Sequence, residues 1–176
     1  MKCKRMDFYK IYAQAHNNAI ELLEEAEILY GKGKYARAYF LAFTGLEEIS
    51  KSQLAADVYT GFIKEDKFWK KYCNHKDKIN QIMWAHKDAN SYSYNRIWVG
   101  PDIEDVEDIA PAKPLWEKRQ NSLYVGIVND HIITPKDEIT KDNAHEIIHI
   151  LGTALHRIWE VTEYWGHRIG TKGFMK

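Results

Sequence analysis

The stretch Ala36-Arg37-Ala38-Tyr39-Phe40-Leu41-Ala42-Phe43-Thr44-Gly45-Leu46-Glu47-Glu48-Ile49-Ser50-Lys51 decides how this chain folds. Along it Ala36, Tyr39, Phe40, Phe43 and Leu46 recur at three- and four-residue intervals, and Leu54 and Val58 extend the stripe. That is the pattern of a helix burying one face, and it predicts a helix over about 34–60. At 100° per residue, Glu47 and Ser50 fall inside the stripe, Lys51 at its edge and Glu48 on the opposite, solvent side. A carboxylate turned toward a core is costly unless a cation or donor meets it, so Glu47 requires a partner brought by another segment.

Upstream, Phe8, Ile11, Tyr12, Ala15, Ala19, Leu22, Leu23, Ala26 and Leu29 form a second amphipathic stripe, closed by Gly31-Lys32-Gly33. A connection this short makes the two helices an antiparallel hairpin. Downstream, a third helix is expected from about Lys67, with Phe68, Tyr72, Ile79, Ile82 and Met83 on one face, fading after Ala89. All four prolines (Pro101, Pro111, Pro114, Pro135) fall in the middle of the chain, so an irregular segment is expected over about 90–134. Within it a short helix is expected around 115–124 and an extended stretch around 123–128. Thr140 is an N-cap candidate for a last long helix carrying Ala144, Ile147, Ile148, Leu151, Leu155, Ile158, Trp159 and Thr162. The sum is an all-α bundle of four to five helices, read as one domain over residues 1–176.

Composition narrows the function classes. Lys+Arg and Asp+Glu each total 25, so the overall positive charge of a non-specific nucleic-acid binder is missing, and any RNA contact has to be local. Cys3 and Cys73 have neither metal-ligand spacing nor the density of a disulfide scaffold, which implies a reducing compartment and a cytoplasmic address. The segment from Asp7 is interrupted by Lys10, Gln14, His16, Asn17 and Asn18, unlike a secretory leader, and no window approaches the roughly 18 apolar residues needed to span a bilayer. No membrane partner and no cofactor are expected. Gly31-Lys32-Gly33-Lys34 lacks the spacing of a phosphate loop, and the tryptophans suit packing better than base stacking.

Partners for Glu47 are available among His75 and His86 on the third stripe, Lys71 and Lys78 beside it, and Arg119 in the short middle helix. Glu47, Lys51, His75, Lys78 and Arg119 therefore make a candidate centre. It is either a functional site of the kind perturbed polar clusters mark, or a salt bridge that fixes helix register.

The opening stretch, followed by Phe68-Trp69-Lys70-Lys71-Tyr72-Cys73-Asn74-His75-Lys76-Asp77-Lys78 and by Lys118-Arg119-Gln120-Asn121-Ser122-Leu123-Tyr124-Val125, resembles the abortive-infection AbiV family of bacterial phage-defence proteins. The shared pattern is Glu-Glu-x-x-Lys, His-x-x-Lys and Arg-x4-Tyr over about 19–128. Gly126 stands where the family usually has an Asp, which leaves no carboxylate there. That family is similar to the HEPN superfamily of helical bundles, many of them dimers and some of them metal-independent ribonucleases. The resemblance implies an effector that arrests translation or growth of the infected cell, a homodimer, and a phage or host protein partner or RNA. It places RNA contact at Lys70, Lys71, Lys78 and Tyr124. The Arg and His pair typical of HEPN ribonucleases is missing, with Lys70 and His75 the nearest substitute, and a Lys lacks the two-pronged guanidinium contact. In a ribonuclease His75 would move the proton, and Lys70, Lys78 or Arg119 would steady the phosphate.

A competing motif is His145-Glu146-Ile147-Ile148-His149, which fits the H-E-x-x-H pattern of helical zinc hydrolases. Its alternative is a solvated histidine-rich flank beside the apolar stripe, or a surface used in dimerisation.

Overall fold

A computed structural model describes residues 6–72 and 112–159. Expectations for the third helix beyond Tyr72, for 90–111 and for residues after Trp159 lie outside the described residues. Six helical segments and one hairpin appear in the order α1 (Phe8–Gly31), α2 (Tyr35–Tyr59), α3 (Glu65–Tyr72), α4 (Ala112–Asn121), β1 (Gly126–Val128), β2 (His131–Ile133), α5 (Pro135–Glu138) and α6 (Lys141–Trp159). The all-α reading holds. The segment beyond the expected count, α5, is about one turn long, too short to leave a periodic signal.

The Asp7 carboxylate caps α1 by accepting from the Lys10 N–H at 3.0 Å. At the other end Gly33 takes φ +70°, which turns the chain sharply into α2. This gives the expected antiparallel pair.

The second helix is more enclosed than its stripe implies. From Gly45 to Asp57 all residues but Glu48 and Lys51 are buried, including Ser50, Ser52, Gln53 and Asp57. A periodicity argument assumes a wet face, whereas α2 contacts each of the other five helices. Glu48 accordingly is not on a solvent side, its side chain being 14% exposed.

The main core lies where α1, α2 and α6 meet, with Ala19, Ala26, Tyr39, Phe43, Leu46, Ala144, Ile147 and Leu151 at its centre. A smaller cluster joins Phe8, Leu54, Ala55 and Phe68, the two Phe rings meeting edge to face at 5.1 Å.

The capping expected at Thr140 is present and reciprocal. Its hydroxyl accepts from the Asn143 N–H at 3.2 Å, and the Asn143 side chain accepts from the Thr140 N–H at 3.3 Å. Just before it, the Asp137 carboxylate accepts from the Thr134 hydroxyl and N–H, and these bonds hold its pKa below the usual carboxylate value.

The hairpin pairs Ile127 with Ile132 across a two-residue turn in which Asn129 and Asp130 have φ of 48° and 63°. That is the left-handed geometry of a tight hairpin turn. The extended stretch was legible from sequence, but its partner strand was not, since Asn-Asp lacks the usual glycine.

Gly45 sits at the three-helix crossing. A Cβ there would lie 2.6 Å from Leu151 Cδ2 and 3.5 Å from the Ala19 carbonyl oxygen. Gly45→Ala should therefore lower stability by about 1–3 kcal/mol through overpacking. In a Leu151→Ala background the same change should cost less, and chemical denaturation of the four proteins checks this.

Candidate functional site

Two neighbouring carboxylates of α2 point in different directions, and the site follows from that division. Glu47 is 4% exposed and is met by Arg119 from α4, whose Nη2 donates to Oε2 at 3.2 Å. The same guanidinium lies 5.0 Å over the ring of Phe40, two turns earlier on α2. Arg119 thus spans a charge and an aromatic face on one side of the helix. Its backbone is held in turn, because the buried Ser122 hydroxyl donates to the Arg119 carbonyl at 2.6 Å where α4 ends. The expected inward carboxylate and one of its expected partners are therefore together.

Glu48 faces α1 and α3. Lys51, one turn on, donates to its carboxylate, and the side chains of Lys51 and Glu48 are 22% and 14% exposed. The Lys51 ammonium sits 5.6 Å from the centre of the Tyr72 ring. Tyr72 is fixed by stacking on Phe68 at 5.3 Å and by an edge contact with Trp69.

These three residues form one wall of an open groove of about 690 Å³, whose other wall, from α1, carries Lys10, Gln14, Asn17 and Asn18. Three amides, the ammonium groups of Lys10 and Lys51, the carboxylates of Asp7, Glu21 and Glu48 and a phenol ring there offer donors and acceptors to a polar partner. Neither Glu48 nor the amides was selected from sequence. The Glu48–Lys51 spacing of three on a helix was visible, but one helix wheel cannot show that α1 and α3 enclose that side.

Of the other expected residues, His75 and Lys78 lie outside the described residues. Lys70 is exposed on α3, Lys71 is half-buried, and Tyr124 is exposed just before the hairpin. Gly126, where the AbiV pattern has an Asp, begins β1.

His145 and His149 share an α6 face and line a second groove with Glu27, Tyr30 and His156. Glu146 is not among the residues lining that groove. Its charge acts instead on Tyr39, whose hydroxyl is pushed well above the ordinary tyrosine range by burial first and by Glu146 second. The acid of the H-E-x-x-H pattern is thus exposed and outside the groove that its histidines line.

A charged pair this enclosed is costly to break on one side. Glu47→Ala or Arg119→Ala alone should destabilise by about 3 kcal/mol, since each leaves the opposite charge buried. Glu47→Leu combined with Arg119→Met should cost less than the sum of its parts. Urea unfolding of the two single apolar variants and the double variant measures that difference.

Compared with known proteins, the chain matches the family model described as AbiV, of the HEPN type, over residues 8–156. No curated protein and no solved structure matches it.

Proposed function

We propose, on the premise that the chain belongs to the AbiV family of abortive-infection phage-defence proteins, that it halts translation or growth of the infected cell by engaging a protein or RNA partner at the Glu48–Lys51–Tyr72 groove. One observation carries the choice of site. Of the adjacent acids in the family pattern, Glu47 is spent on Arg119 inside the bundle, while Glu48 and Lys51 face an open groove. Glu47 and Arg119 then act by positioning, and Lys51, with the later residues His75 and Lys78 of the same pattern, makes the contacts. If the partner is RNA, exposed Lys70 and half-buried Lys71, on the helix that carries Tyr72, and exposed Tyr124, beyond α4, add contacts to it.

The effector works as a cytoplasmic homodimer, one domain over residues 1–176. Among the described residues no helix is long and apolar enough to cross a membrane.

Expression in a phage-sensitive bacterium should reduce plaques while infected cells stop growing. The double variant Glu48→Gln with Lys51→Ala should keep its helical circular dichroism yet lose protection, because removing both charges together leaves neither one enclosed without its partner. Unchanged plating of the wild type across a broad phage panel, or full protection by the folded double variant, overturns the reading. Cellular RNA mixed with purified protein and chelator should stay intact. Cleavage that disappears in His75→Ala would mark a ribonuclease instead.

A further inference from the structure

The geometry points to a metal-binding function outside the proposed partner groove: His145 and His149 form a two-imidazole clip for one divalent transition-metal ion. The spacing of four puts both rings on one side of α6, about 5–6 Å apart at Cβ. Both residues are exposed and line the same groove of about 520 Å³, which also receives Glu27 and Tyr30 from α1. Gly152, one turn beyond His149, leaves the floor without a side chain, and a Cβ there would reach only Leu23, at 3.9 Å. The Tyr30 ring lies 6.0 Å from the His145 ring at 42°, so one imidazole is flanked by an aromatic wall.

Imidazole nitrogen suits zinc, nickel and copper better than magnesium or calcium, which take oxygen donors. Among the described residues no group of three or more His, Cys, Asp or Glu is arranged to hold a metal. Among the described residues the two imidazoles are the proposed donors, and other donors complete the shell. The clip is a binding site: Glu146, the residue that would polarise water in the H-E-x-x-H arrangement, does not line its groove. Binding would tie together one turn of α6 and raise the melting temperature of the fold.

The full chain, carrying no polyhistidine tag, is titrated with Zn(II) alone by calorimetry and melted with and without the ion. Saturable binding of one ion per chain and a higher melting temperature are expected. His145→Ala and His149→Ala should each weaken binding by at least the roughly tenfold that loss of even an outer-shell contact brings. Glu146→Gln and His156→Ala should bind as the wild type does. Absence of saturable binding, or binding undiminished in His149→Ala, overturns the clip. Loss of binding in Glu146→Gln also overturns it, because the acid would then be a third ligand. Because all these side chains are exposed, the variants are expected to fold, which their helical circular dichroism verifies.

Discussion

A helix enclosed on nearly every side has nowhere to put a charge except against another charge. The second half of α2 is in that position, with a buried run through Ser52, Gln53, Leu54, Ala55, Ala56 and Asp57. Its acids must be met by segments packed around it, and so the placement of those segments is coupled to its polar residues. Glu47 receives Arg119 from α4, and Glu48 receives Lys51 from its own next turn, under a ring supplied by α3. Small residues are the other side of the same constraint. Ala38, Ala42 and Gly45 let α1 and α6 approach the helix closely enough to cover it.

That enclosure sorts the residues of the family pattern by what they can do. A carboxylate bound to a guanidinium in the interior is poorly placed to meet a partner, and its energetic weight goes into fixing α4 against α2. A pair that lines a groove can exchange its internal contact for one to a partner that enters it. The aromatic stack of Phe68, Trp69 and Tyr72 gives that rim a rigid side, and the amides of α1 give it an adaptable one. Rigid and adaptable elements facing each other suit recognition of a macromolecular surface.

The histidine-bearing face of α6 lies apart from this groove, yet it shares the same scaffold. Its opposite face packs Ala144, Ile147 and Leu151 into the main core, so the exposed imidazoles stand on a helix whose orientation is fixed from behind. The H-E-x-x-H pattern divides between two environments, because Glu146 lies one helical step from His145 and outside the groove its histidines line.

Local patterning determined a good deal. The hydrophobic spacing from Phe8 to Leu29 and from Ala36 to Val58, the glycine turn between them and the Thr140 cap specified three long helices and their antiparallel pairing, because each signal acts within a few residues. The inward direction of Glu47 was legible for the same reason, and Arg119 was among the cations available to it. The tertiary structure alone decided which cation arrived, that Glu48 would be enclosed rather than wet, and that a second strand would pair with Ile127. Those outcomes depend on which helices pack around a given face, and a contact between residues 72 positions apart leaves no periodic trace in the chain that makes it.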